Sequence, residues 1–356
     1  MDRLSTKIDI RKLDLEQLKQ LFVAQGEQGF RAKQLHEWLW KKSATSFEQM
    51  SNLSAKIRNF LAENYEINSV TIANKQLSND RTIKSGFRLY DNHLVEGVLI
   101  PTNDRMTACV SSQVGCSLTC KFCATGYMDR KRNLEAAEIY DQVVLIKQQA
   151  EEHYQIPLSN IVYMGMGEPL LNYANVVQSI QLITQPDGLG MSPKRITVST
   201  AGIAKMIKKL ADEDLGVNLA LSLHAANDVK RDKIMPINET NTLEALKDAL
   251  SYWYEKTGIR VTLEYILLYN VNDTLEDAQE LYEFWKSVKS KVNIIEFNPI
   301  AEADFKKTEA KTLDKFINFL EAKGVIVNVR RSRGKDIDAA CGQLAIKTKE
   351  TQKSLE

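Results

Sequence analysis

No stretch of this 356-residue sequence approaches the ~18 consecutive apolar residues of a membrane-spanning helix. Neither charge sign dominates: 47 Lys and Arg stand against 46 Asp and Glu, for a net charge of +1. The chain as a whole therefore announces no polyanionic or membrane-surface partner. Histidine is scarce, with four residues, and so is cysteine, with five. The opening Met1 to Leu13 has no apolar core and does not read as an export signal, so a cytoplasmic protein is expected. An odd cysteine count without such a signal argues against a disulfide framework and for metal binding or catalysis. With 44% hydrophobic and 26% charged residues, the chain can build a sizeable core, and wholesale disorder is excluded. Its length fits two domains, or one large barrel with an appendage.

Charge and pattern divide the chain. Residues 1–90 carry 15 Lys and Arg against 10 Asp and Glu, while the rest carries 32 against 36. The first 65 residues read as helical: Leu15, Leu18, Leu21 and Phe22 repeat at helical spacing, as do Leu35, Trp38 and Leu39, then Ile57, Phe60 and Leu61. Residues 66–90 alternate and read as short strands. From about residue 94, β-rich runs alternate with helical ones. Strands are predicted at 94–100, 106–110, 160–164, 195–199, 217–223, 260–268, 292–297 and 325–329. Helices are predicted at 134–150, 173–184, 241–256, 275–289 and 310–322. Such alternation implies a parallel sheet with helices packed outside, either doubly wound or curled into a full or partial barrel. Periodicity alone does not choose. Five strand ends in succession carry polar or glycine-rich residues: the cysteine cluster, Gly165 to Glu168, Ser199 and Thr200, Ser222 and His224, and Asn298. In a barrel these would ring one mouth.

Gly115 to Gly126 reads GCSLTCKFCATG, so Cys116, Cys120 and Cys123 form C-x3-C-x2-C. A structural zinc site wants four ligands, and no histidine lies within 20 residues of the run. A zinc knuckle completed by a distant residue is the plain alternative. Three thiolates on a four-iron cluster would leave one iron open to a substrate or cofactor. Of the other cysteines, Cys109 ends a strand, and Cys341 lies in Arg330 to Leu344 (RRSRGKDIDAACGQL). Either alone could be a small buried hydrophobe. The small residues around Cys341 leave its thiol accessible, and the nearby arginines favour thiolate and attract phosphate.

The cysteine run, with Phe122 before its last member, resembles the signature of radical S-adenosylmethionine enzymes, and Met164 to Pro169 (MGMGEP) resembles their glycine-rich segment. In that superfamily the cofactor's amine and carboxylate chelate the open iron, and Glu168 would accept hydrogen bonds from the amine. More residues narrow the resemblance to the RlmN type of adenosine C2 methyltransferase. They are Val95 to Val98, Cys109 to Gln113, MGMGEP with Leu170-Leu171-Asn172, Ser199-Thr200, Ser222-Leu223-His224, Met235 to Asn238, Asn298-Pro299, Ala339 to Leu344, and the N-terminal Gly29 to Gln34 with Trp38.

The resemblance implies a partial or full (β/α) barrel of the radical S-adenosylmethionine type with a small, mostly helical N-terminal domain. The division would be an accessory, RNA-binding unit at 1–90, a catalytic barrel with the C-terminal cysteine segment at 91–346, and a polar tail at 347–356. It implies one 4Fe–4S cluster on Cys116, Cys120 and Cys123, and two S-adenosylmethionine molecules per turnover. Gly167, Glu168, Ser199, Ser222, Leu223, His224 and Asn298 would contact the cofactor. Cys341 would be methylated and then lose a hydrogen to the cofactor radical. The resulting carbon would add to adenine C2, Glu96 would accept the proton, and Cys109 would release the product as a Cys109–Cys341 disulfide. The substrates implied are 23S ribosomal RNA and transfer RNA beside the anticodon. A flavodoxin-type electron donor and a monomeric, membrane-free protein are also expected. Arg31, Lys33, Lys41 and Lys42 near Trp38 and Trp40 would form an RNA clamp, unless those tryptophans are helix core. Two other readings are a Cfr-type C8 methyltransferase and a non-catalytic iron–sulfur or zinc RNA-binding protein.

Overall fold

The structure, a computed structural model, describes residues 7–346. The first six residues of the opening segment and the expected tail at 347–356 lie outside the described residues.

One ten-stranded sheet organises the chain. From one edge its order is Val327–Arg330, Ser290–Glu296, Val261–Leu267, Asn218–Ser222, Ile196–Thr200, Asn160–Tyr163, Arg105–Cys109, Leu94–Thr102, Ile83–Arg88 and Thr71–Leu77. From Arg105–Cys109 to Val327–Arg330 every pairing is parallel, and each strand lies beside its predecessor among these strands. Crossovers of one hand repeated without reversal put the helices on one face, so the other face must cover itself by curling. Six successive strands do converge: Tyr163, Ser199, Ser222, Glu264, Ile295 and Arg330 line a single pocket. The edge strands do not pair with each other, so the barrel is open. This settles the choice that periodicity left open, against a doubly wound sheet.

The predicted strands all form, with ends shifted by one or two residues. Val261–Leu267 is buried along its whole length, as a central parallel strand should be. The helices follow their caps. Thr242 caps Leu243–Thr257, which stops at Gly258 with φ +68°. Thr274 and Asp277 form a capping box at the start of Leu275–Lys286. The amphipathic helix Ala204–Asp212 was not among the segments predicted.

Residues 71–88 join the main sheet through antiparallel pairing with Leu94–Thr102. Thr71–Leu77 is exposed throughout, so its sequence lacks the apolar alternation that would tie it to a core. The N-terminal helices Leu15–Ala24, Arg31–Trp40 and Ala55–Asn64 form as read. They are moored to the barrel helix Ala136–Tyr154 by buried polar contacts. Arg11 donates to both carboxylate oxygens of Asp141 at 2.9 Å and pairs with Asp9 at 3.0 Å. The Tyr140 hydroxyl donates to the Trp40 carbonyl, and the two rings meet edge to face at 5.1 Å. Trp40 is thus core, whereas Trp38 is half-buried with the Lys42 ammonium 3.8 Å above its ring.

Candidate active site

The strand Arg105–Cys109 runs into the cysteine loop, and glycines make its turns possible. Gly115 has φ +75°, and a Cβ there would stand 2.1 Å from the Asp129 carbonyl oxygen. A Cβ on Gly126 would meet the Cys120 oxygen at 2.6 Å. Cys123 N–H donates to the Cys120 carbonyl and Gly126 N–H to that of Cys123, so the loop folds back on itself. Its exit, Ala124–Tyr127, is a 3-10 turn, followed by Arg132–Asn133 paired with Gln113–Val114.

Cys116, Cys120 and Cys123 share the wall of one cleft holding about 980 Å³ of space outside protein atoms. Leu118, Phe122, Ile234, Met235, Ile266 and Phe297 pack against them. Burial pushes all three thiols up, Cys116 to about 11. Among the described residues no three His, Cys, Asp or Glu side chains converge to hold a single metal ion. Three soft donors lining one cleft suit an iron–sulfur cluster.

The glycine strip lines the same cleft. Gly167 has φ +95°, and a Cβ there would stand 2.5 Å from that of Gln113, so only glycine fits this bare wall. Ser111 to Gln113 hold the strip. Ser111 Oγ donates to the Glu96 carbonyl and accepts from Met166 N–H, and Gln113 Oε1 accepts from Glu168 N–H. Burial raises the Glu168 carboxyl, against the Ala201 N–H at 2.8 Å and the Leu170 N–H at 3.0 Å that it accepts.

His224 has a left-handed backbone, φ +58°, uncommon outside glycine. Its Nδ1 accepts from Ile266 N–H at 3.0 Å, its carbonyl accepts from Asn272, and its ring lies edge-on to Phe122 at 4.7 Å. Burial lowers its pKa to about 3, so the ring is neutral with its proton on Nε2.

Of the residues expected at a cofactor, Gly167, Glu168, Ser199, Ser222 and His224 line the cleft with the cysteines. Leu223 and Asn298 are not in its wall but bond to residues that are. Leu223 donates its N–H to the Glu264 carbonyl, and Asn298 Nδ2 donates to the Cys341 carbonyl at 3.3 Å. Cys341 borders two spaces, the cysteine cleft and a second cavity that it shares with Cys109. Burial pushes Cys109 up to about 12, and the neighbouring Cys341 adds to this. Cys341 is the most accessible of the five cysteines, yet the protein around its sulfur still raises its pKa. Arg330 opposes the rise at both thiols. Glu96 lies apart from both cavities, paired with Lys84 at 3.3 Å and accepting from Ala345 N–H at 3.0 Å.

Two functional neighbours escaped the sequence reading. Arg231 is fully buried and donates to the carbonyls of Leu223, Ala201 and Ser222 and to Asn238 Oδ1. It ties the strand-end loops of the mouth together. Glu264 lines the cleft from inside the strand VTLEYIL. A lone carboxylate in an apolar strand was the signal that could have found it.

Comparison with known proteins agrees with this geometry. The family model described as the ribosomal RNA large subunit methyltransferase N-terminal domain matches residues 8–67. The model of the radical SAM superfamily matches residues 110–284. A Cytophaga hutchinsonii protein called "Probable dual-specificity RNA methyltransferase RlmN" is 65% identical over 350 residues, covering 98% of this chain and 96% of its own. A Geobacter sulfurreducens protein called "Dual-specificity RNA methyltransferase RlmN" is 42% identical, covering 96% and 93%. Among solved structures, a radical SAM methyltransferase from Sphaerobacter thermophilus superposes with a TM-score of 0.89 at 38% identity, covering 95% of this chain and 99% of that one.

Proposed function

This chain belongs to the RlmN family of radical S-adenosylmethionine RNA methyltransferases, and from that premise we propose that it methylates C2 of adenosine in 23S ribosomal RNA and in transfer RNA beside the anticodon. The observation that carries the reading is the position of Cys341, whose residue borders both the three-cysteine cleft and the cavity holding Cys109. Adenine C2 is not nucleophilic, so a methyl group cannot simply be displaced onto it, and a carbon first loaded on the protein avoids that barrier.

Cys116, Cys120 and Cys123 would hold a 4Fe–4S cluster. Gly167, Glu168, Ser199, Ser222 and His224 would seat S-adenosylmethionine against it, with Leu223 and Asn298 supporting residues of the cleft wall. When bound, this pair supplies a 5′-deoxyadenosyl radical. Cys341 would carry a methyl group from one S-adenosylmethionine; once the radical chemistry of the pair had removed a methyl hydrogen, its carbon would add to C2, and the adduct would give one electron back to the cluster as the C2 proton leaves. The family resemblance gives the C2 proton to Glu96, which in this structure accepts from Ala345 N–H, four residues past Cys341, rather than lining the cleft. Cys109 would then attack the Cys341 sulfur and break its bond to the methylene carbon, which takes up a proton to become the methyl group of the freed base, leaving a disulfide for an external reductant. Burial raises the Cys109 thiol, which opposes its attack until its proton is removed.

The target base must leave its stack to reach the mouth. The N-terminal unit within 1–90 carries Arg31, Lys33, Lys41 and Lys42, the last over the half-buried Trp38 ring, which supports a role in gripping RNA, and the barrel with the cysteine segment would occupy 91–346. No helix of the described residues is long and apolar enough to cross a membrane. A cytoplasmic monomer served by a flavodoxin-type electron donor completes the proposal. Anaerobic reconstitution with iron, sulfide, reductant, S-adenosylmethionine and RNA tests it. The expected product is 2-methyladenosine by mass spectrometry. An 8-methyl product would instead support the Cfr-type reading, and absence of 5′-deoxyadenosine would contradict radical chemistry.

A further inference from the structure

The strand Val261–Leu267 carries one ionisable carboxyl group, Glu264, among buried apolar neighbours. Its two oxygens differ sharply. Oε1 accepts from Asn293 Nδ2 at 2.9 Å and from Arg330 Nη1 at 3.4 Å. Oε2 is buried and has no hydrogen-bond partner among the described residues. A buried carboxylate oxygen left bare costs free energy, so native proteins rarely keep one without a use. The two donors on Oε1 fix the carboxylate, and the residue forms part of the cleft wall.

We propose that Glu264 Oε2 is the acceptor for a hydroxyl or amine hydrogen on the adenosyl half of S-adenosylmethionine. The inference rests on the reading of the cleft as the cofactor site. Two adenosines could offer such a donor, that of the cofactor and that of the target RNA. The placement favours the cofactor. Glu264 borders the cleft shared by the three cysteines, Gly167 and Glu168, whereas the cavity holding Cys109 does not include it. The methionine half offers an amine and a carboxylate, which the family reading assigns to the cluster end. The adenosyl half offers the neutral donors, namely the ribose hydroxyls and the adenine amine. Burial raises the Glu264 carboxyl while Arg330 and Asn293 oppose the rise, and a donor on the adenosyl half would add to that opposition through a charge-assisted hydrogen bond.

Equilibrium dialysis of S-adenosylmethionine against the cluster-loaded protein, without RNA, tests this. Glu264→Gln keeps an oxygen for Arg330 but removes the negative charge, and it should weaken cofactor binding about 10- to 100-fold. Iron content and affinity for RNA should be unchanged. Cofactor analogues lacking the 2′-hydroxyl, the 3′-hydroxyl or the adenine amine supply a second arm that needs no variant. One of them should bind the wild-type protein as weakly as the cofactor binds Glu264→Gln, and should lose little more in that variant, as a coupled pair requires. If the variant and all three analogues bind as tightly as the unaltered pair, Oε2 meets only solvent and the inference is overturned. If RNA affinity falls while cofactor affinity stands, the acceptor serves the target base, and the inference is equally overturned. A wild-type protein that binds no cofactor would overturn the functional reading itself, a result distinct from either.

Discussion

Two segments bring cysteines to the same cleft, and they are held in opposite ways. The loop Gly115 to Met128 is held chiefly by its own backbone, with Lys121 N–H reaching the Ile234 carbonyl and Ala124 N–H that of Gly342 as its distant backbone bonds. Its hydrogen bonds include Cys123 N–H to the Cys120 carbonyl, Gly126 N–H to that of Cys123 and Cys116 N–H to that of Met128. Its glycines occupy places where a Cβ would overlap backbone. The segment Gly334 to Ala345 is held chiefly by distant partners. Asp336 accepts from Ser78 Oγ and Asn79 N–H, and Asp80 accepts from Gly334 N–H. Lys84 reaches the Asp338 carbonyl, Thr125 Oγ1 reaches that of Leu344, and Glu96 accepts from Ala345 N–H. Cluster ligands must keep one geometry, and a tight local loop provides it. In the proposed reaction Cys341 meets a cofactor, a base and Cys109 in turn, and separable contacts to several elements allow that.

The contrast can be broken at either segment. The largest effect is expected from Gly115→Ala. Its Cβ has no room beside Asp129, and the positive φ adds strain. The loop should distort, and iron content after reconstitution should fall to a small fraction of wild type, together with all turnover. Full iron loading would show that the loop is more plastic than its contacts imply. A smaller effect is expected from Asp80→Ala. It removes the bond to Gly334 N–H at 2.8 Å, worth about 1 kcal/mol, so the C-terminal segment should open about fivefold more often. The alkylation rate of Cys341 should rise accordingly while iron content stays at the wild-type level. An unchanged alkylation rate would mean that this clasp does not restrain the segment.

The same contrast explains what the sequence made legible. The parallel strands, the cysteine loop and the glycine strip are written in contiguous residues, where a strand pattern runs directly into its functional turn. Ser222 and His224 could be placed at the mouth because Ser222 ends an apolar strand and His224 lies two residues on. The open form of the barrel was not legible, because it depends on strands ~250 residues apart failing to pair. Thr71–Leu77 carries no burial pattern that would assign it to the main sheet. Arg231 and Glu264 looked like ordinary charged residues until folding surrounded them with carbonyls in one case and pocket wall in the other. That the Cys341 residue shares a cavity with Cys109 is a property of contacts between the two ends of the chain, and short-range patterns hold no record of it. There the family resemblance supplied the expectation, and the shared cavity supports it.

The most direct test of the account uses Cys109→Ala, reconstituted with its cluster and supplied with S-adenosylmethionine, reductant and RNA. Methylated Cys341 should add to adenine and then find no thiol to release it. Mass spectrometry of the nuclease- and protease-digested product should show an adenosine joined through one carbon to the Cys341 sulfur, with little free methylated RNA. Methylated RNA released at the wild-type rate, with no such adduct, would contradict the two-thiol account.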